Sequence, residues 1–474
     1  MSHSISSGIE GLDEIIGGGF PRGSIIILAG NPGTGKTIFS AQFLYHGCTK
    51  YGENGIYVSF AEEKEKFFEE MKNFNFDFEK LEKEGHFFFL DMVTTKEEAI
   101  STIMETITSK INEIKAKRLV IDSFSAMVQA FKEPHCARIL LHTILSKITR
   151  SIGCTTILIV EIPYGETKIG LGIEEFVADG IIVLKRSIFN DRILRELEIY
   201  KMRGIPISES QVIFTLKDRF KAFSSFKFKP IEKSNRFKPK QDNEMYFSSG
   251  SQDIDKVFGG WPKGSTILFD IGDYVSSEHY HLFGLPTIWN FLAHGRGIIM
   301  TPSAGVDYTL LKDRIKRGGF TNEEINKLIR IYTRYHPKIK MEPCIVTFEG
   351  ANPIEDFEKR AIIAEELIEE TGQPVLNING VDMLIDSYGV RGTLSYLKAC
   401  ANRTRVSHSL CALILKPGYP RLASILSSIA DIHLKFVRRH GITLVYGYKP
   451  GTNIYVLEMD TSEGYPMPKL TPII

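Results

Sequence analysis

Two stretches about half a chain apart follow one plan. "SSGIEGLDEIIGGGFPRGSIIIL" (Ser6 to Leu28) and "SSGSQDIDKVFGGWPKGSTIL" (Ser248 to Leu268) share, in order, a serine pair, a glycine, leucine or isoleucine before aspartate, a glycine cluster, a Pro-basic-Gly-Ser turn and an apolar strand. The separation is far longer than a solenoid period, so the pattern reads as a duplicated domain rather than an array. A chain of 474 residues exceeds one ordinary hydrophobic core, which agrees with two copies. Between them, "SSFKFKPIEKSNRFKPKQDN" (Ser224 to Asn243) is polar, basic and carries two prolines, the composition of a linker. The organisation expected is a first domain over 1–223, a linker over 224–243 and a second domain over 244–474.

In the first copy the apolar run "SIIILAG" leads into Gly30, Asn31, Pro32, Gly33, Thr34, Gly35, Lys36 and Thr37, and "TIFSAQFLYHGCTK" follows with a helix-compatible pattern. Strand, glycine-rich loop, helix is the setting in which such a loop holds nucleotide phosphates. The glycines let backbone N–H groups close around phosphate oxygens, and the helix N-terminus adds favourable potential. Lys36 is expected to reach the β- and γ-phosphates of ATP, and Thr37 to ligate Mg2+. A second strand, "GIYVSF", runs into Glu62 and Glu63. A carboxylate at the mouth of a strand beside this loop orients and polarises an attacking water; spacing does not choose between the two. "KRLVIDSFSAM" brings a further strand to Asp122, the expected second acid, holding Mg2+ through water. Glu161, in "TTILIVEIPYG", is either a sensor of the γ-phosphate or an ordinary strand-end acid.

These motifs resemble the RecA superfamily. The resemblance narrows to its KaiC branch at "GIEEFVADGIIVLKR" (Gly172 to Arg186) followed by "RELEIYKMRG" (Arg195 to Gly204), with "SSGIEGLDEIIGGGFPRGS" upstream, and it covers nearly all of residues 1–222. It implies an α/β fold of two tandem RecA-like, P-loop NTPase domains, each with a central, mainly parallel sheet flanked by helices. In that family the basic residues of the KMRG-type turn reach the neighbouring subunit's nucleotide. The resemblance therefore implies that Lys201 and Arg203 act in trans, within a homo-oligomeric ring expected to be a hexamer. A cation placed where charge develops stabilises the transition state, and supplying it from a neighbour ties hydrolysis to assembly.

Laid over the first copy, the second has lost this chemistry. Gly33, Gly35, Lys36 and Thr37 fall on Asp273, Val275, Ser276 and Ser277. Glu62 and Glu63 fall near Ser303 and Ala304, and Asp122 on Asn379. The KMRG turn falls in "GTNIYVLEMDTSEG", without its basic pair. Apolar strands such as "STILF", "RGIIM" and "CALIL" persist. The second domain is expected to keep the fold without a functional phosphate loop. KaiC carries a neighbouring serine and threonine that become phosphorylated in its second domain. The matching positions here are Glu175 and Phe176 in the first half, and Ser427 and Ser428 in the second. With no local loop to deliver a γ-phosphate, autokinase activity is not expected.

The function expected is that of an ATP-binding, slowly ATP-hydrolysing regulatory or signalling protein with an unidentified protein partner. One alternative is a RecA/RadA-type DNA-dependent ATPase. That reading needs basic loops along a channel, whereas "PYGETKIGLG" holds one lysine and one glutamate. Phe226, Phe228 and Phe237, interleaved with lysines and arginine in the linker, suit single-stranded nucleic acid, but the reading favoured is a solvated strap pinned to a domain surface. A second alternative is a non-hydrolysing ATP-binding module acting on a transcription regulator, against which Glu62, Asp122, Lys201 and Arg203 argue. A formal net charge of +1 gives no bulk attraction to DNA or an anionic membrane. The six cysteines are scattered without CxxC spacing, as expected of reduced thiols in a cytoplasmic protein. Met1 to Gly11 lacks the basic start and apolar run of a secretory signal, no apolar stretch reaches the ~20 residues that span a bilayer, and no membrane partner is expected.

Overall fold

The computed structural model describes residues 4–92, 100–129, 152–166, 178–231, 234–334 and 341–474. The chain divides into two compact units, Met1–Ser225 with Pro472–Ile474, and Phe226–Thr471. In the first unit the order is β1 (Ser4–Ile5), α1 (Leu12–Ile15), β2 (Phe20–Pro21), β3 (Ile25–Gly30), α2 (Lys36–Tyr51), β4 (Gly55–Ser59), α3 (Lys64–Lys72), α4 (Phe78–Lys83), β5 (Phe87–Asp91), α5 (Ile100–Ile114), β6 (Arg118–Asp122), α6 (Phe124–Gln129), β7 (Thr155–Glu161), β8 (Gly180–Phe189), β9 (Arg192–Met202), β10 (Gln211–Thr215) and β11 (Lys221–Phe223).

Nine of these strands form one sheet, ordered β11-β10-β9-β8-β3-β7-β6-β4-β5. From β8 to β5 the neighbours run parallel; β9, β10 and β11 add antiparallel pairs. Strand β3 lies between two parallel partners with all six residues buried, which is why its sequence is uniformly apolar instead of alternating. Alternate residues still serve opposite faces. Ile26 and Leu28 pack with Phe39, Phe43 and Leu44 of α2, while Ile25, Ile27 and Ala29 pack with Ile107 and Ile111 of α5. The α/β class expected from the sequence, a mainly parallel sheet flanked by helices, is what the structure has.

The second unit carries a ten-stranded sheet. Its strands are β12 (Tyr246–Phe247) and β13 (Trp261–Pro262), which pair separately, then β14 (Thr266–Ile271), β15 (Ile298–Thr301), β16 (Ile329–Arg334), β17 (Ile345–Phe348), β18 (Leu376–Gly380), β19 (Leu410–Leu415), β20 (Ile432–Arg439), β21 (Ile442–Lys449), β22 (Tyr455–Asp460) and β23 (Met467–Pro472). The sheet order is β17-β16-β15-β18-β19-β14-β20-β21-β22-β23, again parallel through its centre and antiparallel after β20. The helix Ser277–Ala293 follows β14 as α2 follows β3. The residues from Phe226 onward belong to this unit. Phe237 is buried in its core, Phe226 and Phe228 pack against the same core, and Arg236 pairs with Glu324 at 2.5 Å.

The repeated residues build one device twice. In the first unit the Ser6 hydroxyl donates to the Asp13 carboxylate and the Ser7 amide donates to it at 2.8 Å; in the second, Ser248 and Ser249 do the same to Asp255, also at 2.8 Å for the amide. At Gly250, with φ +79°, a Cβ would stand 2.3 Å from the Pro286 carbonyl oxygen. The serine pair, glycine and aspartate recur because they fix this corner.

Strand ends correct the comparison made from the sequence. Gly180 pairs with Ile26 where Ile432 pairs with Ile267, β3 and β14 end at Gly30 and Ile271, and the helices that follow start at Lys36 and Ser277. Gly33, Gly35, Lys36 and Thr37 thus correspond to Tyr274, Ser276, Ser277 and Glu278, one residue beyond the places counted above. Asp122 corresponds to Gly380, not Asn379: Leu158 faces Ile121 and Ile27, as Leu413 faces Asn379 and Leu268. The KMRG turn is also relocated. Lys201 faces Ile181 beside a register shift, and Lys449 faces His433 beside the same kind of shift. Lys201 therefore corresponds to Lys449 and Arg203 to Gly451, so the second unit keeps the lysine and lacks the arginine.

Candidate active site

The loop between β3 and α2 sits at the carboxyl edge of the parallel sheet, where strand ends converge and ligands of open α/β sheets bind. Gly33 and Gly35 adopt φ of +74° and +100°, a conformation that glycine takes without steric cost. Gly35 is also the N-cap of α2 and has no side chain to cap it, so the first N–H groups of the helix remain available to an anion. Asn31 anchors the loop through its amide, which donates to the Ile162 carbonyl at 2.9 Å and the Pro163 carbonyl at 3.1 Å; the Thr34 hydroxyl donates back to Asn31 at 2.8 Å. Lys36 is buried, and its ammonium donates to the carbonyls of Gly30 at 2.8 Å and Asn31 at 3.0 Å. Burial pulls this ammonium below its ordinary pKa, against the attraction of Glu161 and Asp122.

Beside the loop, the Thr37 hydroxyl donates to Asp122 at 3.2 Å and the Tyr57 hydroxyl donates to the same carboxylate oxygen. Burial pushes the Asp122 carboxyl above its ordinary range; the hydrogen bonds from Tyr57 and Thr37 and the charge of Lys36 hold it down. A carboxylate and a hydroxyl are hard oxygen donors of the kind Mg2+ takes in small number alongside phosphates. No cluster of three or more His, Cys, Asp or Glu that would hold a metal by itself occurs among the described residues. Glu161 ends β7 directly opposite Gly30 in the parallel register.

Glu62 and Glu63 separate here. The Ser59 hydroxyl donates to the Glu62 carbonyl at 2.6 Å and accepts from its amide at 2.9 Å, which holds the turn after β4. Glu62 is half-buried, with its carboxyl raised chiefly by burial and then by Glu70, with Asp122 adding to the rise. Glu63 is exposed and begins α3 as its N-cap, without a side-chain capping bond.

Lys201 and Arg203 are not brought to the loop of their own chain. The Arg203 amide donates to the Asp179 carbonyl at 2.7 Å, its guanidinium pairs with the Asp179 carboxylate at 3.1 Å, and Asp179 is in turn bonded to Ile25. The turn thus lies level with the start of β3, and Gly30 is five residues further along, about 16 Å at the usual strand rise.

Two site residues escaped the sequence reading. Tyr57 was visible only as part of a strand; its alternation with Gly55 and Ser59 places it on the Asp122 side, but a tyrosine in an apolar run carries no catalytic signal by itself. Arg195, buried in β9, donates to the Gly33 carbonyl at 3.2 Å. Its place follows from the register, since Arg195 faces Arg186 two residues beyond the pair Leu184–Leu197 that is level with Gly30. Glu175, Phe176, Cys136 and the loop from Lys168 to Gly172 lie outside the described residues. The five described cysteines are free and buried, and no helix among the described residues is long and apolar enough to cross a membrane.

A glycine-rich loop between strand and helix, a buried lysine and a threonine–aspartate pair at the carboxyl edge of a parallel sheet define a P-loop nucleotide-binding protein. The family described as "ATPase: KaiC" matches residues 5–221. A UPF0273 protein of Pyrococcus horikoshii is 34% identical over 233 residues, covering 46% of this chain and 93% of that one. The circadian clock oscillator protein KaiC of Synechococcus elongatus is 32% identical over 270 residues, covering 55% of this chain and 50% of that one. The crystal structure of a KaiC-like protein from Pyrococcus horikoshii has 38% identity and a TM-score of 0.42, covering 46% of this chain and 98% of that one. The chain spans about half the length of the KaiC clock proteins it matches. It belongs to the KaiC-like ATPase family.

Proposed function

We propose that the first unit binds ATP with Mg2+ at Gly30 to Thr37 and hydrolyses it slowly, as a regulatory ATPase whose site is completed by a second copy of the chain. The observation that carries this reading is the cluster of Lys36, Thr37, Asp122 and Tyr57 beside a loop whose helix N-terminus is uncapped. Lys36 and the loop amides would hold the phosphates, and Thr37 with Asp122 would hold the cation, which neutralises phosphate charge when bound. Glu62 is the better candidate for orienting water: it is the carboxylate that Asp122 acts on, and its raised pKa suits a base. Glu63 faces solvent. Lys201 and Arg203 would serve a neighbour's site in a ring, expected to be a hexamer, since their own loop is out of reach. The second unit, with Ser277 where Lys36 stands and Gly380 where Asp122 stands, serves as scaffold or sensor and performs no autokinase step. Phe237, buried in the second unit's core, and the half-buried Phe226 and Phe228 packed against it favour a strap over a nucleic-acid arm.

Nucleotide binding and turnover test this directly. Lys36→Ala should abolish ATP binding, and Glu62→Gln should bind ATP but not turn it over. Wild-type turnover by Lys36→Ala would refute the site. One observation favours a second reading, a monomeric nucleotide-binding module: the Arg203–Asp179 pair gives the arginine a job inside its own chain. Light scattering with ATP across a dilution series separates the two.

A further inference from the structure

Arg195 is buried in β9, although burial and Arg186, which faces it from β8, both pull its guanidinium below its ordinary pKa. A buried cation needs compensating hydrogen bonds, and two main-chain oxygens supply them. Nη1 donates to the Gly33 carbonyl at 3.2 Å, and Nε donates to the main-chain oxygen of Ile474. The first contact bears on the phosphate loop. The Gly33 carbonyl and the Thr34 N–H belong to one planar trans peptide and point to opposite sides. A grip on the carbonyl therefore fixes where the Thr34 N–H points, and that N–H is one of the loop's donors to phosphate. The second contact shows what holds Arg195. Pro472–Ile474 belong to the first unit. The Thr215 hydroxyl, at the end of β10, donates to the Pro472 carbonyl at 2.6 Å, and Ile473 is buried. Leu216, next to Thr215 in the chain, packs behind the other positive-φ glycine of the loop: a Cβ on Gly35 would stand 3.1 Å from its methyl carbons. The segment thus meets both supports of the loop, Arg195 behind Gly33 and the end of β10 behind Gly35.

We propose that Pro472–Ile474 form a clamp that, through Arg195, holds the phosphate loop in the shape that receives the phosphates of a nucleoside triphosphate. Arg195 is a positioning residue in this clamp and acts on the nucleotide through the Gly33 peptide. An arginine presents a rigid fork on a long flexible stem; a second fixed acceptor at Ile474 is what aims the fork at Gly33. Release of the segment leaves the fork with one acceptor and the loop with one constraint fewer. The proposal rests on Gly30 to Thr37 being the ATP site, and adds that the affinity of that site depends on a segment remote in sequence.

Calorimetric titration of the full chain with ATP and Mg2+ tests this, with folding of each variant checked by circular dichroism. Arg195→Gln and a chain ending at Thr471 should each bind ATP about tenfold more weakly than the wild type, the effect of losing one charged hydrogen bond. Combining the two should cost at most about twofold more than either alone, because both remove the same grip. Arg195→Lys keeps the charge without the fork and should bind ATP as weakly as Arg195→Gln. In turnover, the KM of Arg195→Gln for ATP should rise about tenfold while kcat falls by less than about threefold, as expected when ground-state binding is lost. Thr215→Val releases Pro472 in a strand that valine suits, should weaken ATP binding about threefold, and carries the test if the shortened chain does not fold. The proposal is overturned if the shortened chain or, where that does not fold, Thr215→Val binds ATP as the wild type does, if the losses add in the combined variant, or if lysine restores wild-type affinity. Lys36→Ala separates the clamp from the site: if it abolishes binding while the clamp variants keep wild-type affinity, the clamp alone fails, and if the wild type binds no ATP, the site fails with it.

Discussion

Removing a single oxygen, in Tyr57→Phe, probes the electrostatics of the candidate active site. The ring itself stays packed, with centroids 4.4 Å from Phe67 and 5.5 Å from Phe89, so no side-chain cavity is opened. What is lost is a buried donor to Asp122. Hydrogen bonds to charged groups contribute about 1.5–3 kcal/mol; the Thr37 hydroxyl still donates at 3.2 Å, which puts the expected loss near the low end, about 1.5–2 kcal/mol at pH 8 without nucleotide. Its pH dependence follows from the direction of the Asp122 shift. Burial already holds this carboxyl above its ordinary range and the Tyr57 bond opposes that, so the substitution raises it further. A carboxyl with a folded pKa above its unfolded value takes up a proton on folding, and its contribution to stability falls as pH rises from the unfolded value through the folded one. The penalty of Tyr57→Phe should therefore be smallest where Asp122 is protonated in both states, and full above the raised pKa. Urea unfolding of the full chain at pH 5 and pH 8, followed by far-ultraviolet circular dichroism, reads this out. Both tryptophans, Trp261 and Trp289, lie in the second unit, so their fluorescence marks that unit's transition and distinguishes it from the first unit's. A loss under about 0.5 kcal/mol at pH 8, or a larger loss at pH 5 than at pH 8, would refute the assignment of Tyr57 as a donor to ionised Asp122.

Glu62→Gln should stop ATP turnover while Glu63→Gln leaves it within about threefold, and the acid limb of the wild-type pH–rate profile should lie above the ordinary carboxylate range, because the Glu62 carboxyl is raised and must ionise to act. Equal losses in the two variants would remove the distinction drawn from burial. Mixing Arg203→Ala with Lys36→Ala, each inactive alone, should restore part of the turnover if the arginine acts across a ring interface; a mixture that stays inactive refutes the shared site. Arg236→Ala should move Glu324 from about 2 back toward 4.5, since the Arg236 hydrogen bond is the first cause of its depression. A depressed carboxyl stabilises the fold above its unfolded value and loses that contribution as pH falls through its folded one. The wild type should therefore keep an advantage over Arg236→Ala at pH 7 that disappears between about 4.5 and 2, measured by carboxyl-detected NMR and acid unfolding.

The loop was legible in the sequence because backbone geometry demands its residues: positive φ at Gly33 and Gly35 restricts those positions wherever the loop occurs. Asp122 and the pair Glu62 and Glu63 were legible because apolar strands announce their own ends, but spacing does not choose between the two glutamates. Tyr57 and Arg195 were not, because their roles depend on which strands lie side by side, and adjacency in a parallel sheet is set by crossovers instead of spacing. The same cause displaced the comparison of the two copies. A count carried along the chain cannot see that strand ends and hairpin bulges fix the frame, so it puts the KMRG counterpart within Gly451 to Gly464, whereas Lys449 stands at the place of Lys201.

That relocation separates two residues that the family resemblance treats together. At the start of the central strand both units use the same clasp: Asp179 accepts from the Ile25 amide at 3.1 Å, and Asp431 accepts from the Thr266 amide at 2.8 Å. Next to it, Lys449 donates to the Ala430 carbonyl at 2.7 Å, a structural contact in a unit that has Ser277 at the place of Lys36 and Gly380 at the place of Asp122. A lysine kept at this place without the loop is explained by packing of the sheet edge. The arginine is different: it accompanies the loop in the first unit and gives way to Gly451 in the second. Arg203 is therefore expected to carry most of the action on a neighbour's nucleotide, and Lys201 to carry less. Arg203→Ala should lower ATP turnover at least tenfold with ATP affinity nearly unchanged, whereas Lys201→Ala should lower turnover by less than about threefold and act mainly on thermal stability. If Lys201→Ala proves the more damaging to turnover at equal stability, the two residues act as a pair and the contrast between the units does not divide them.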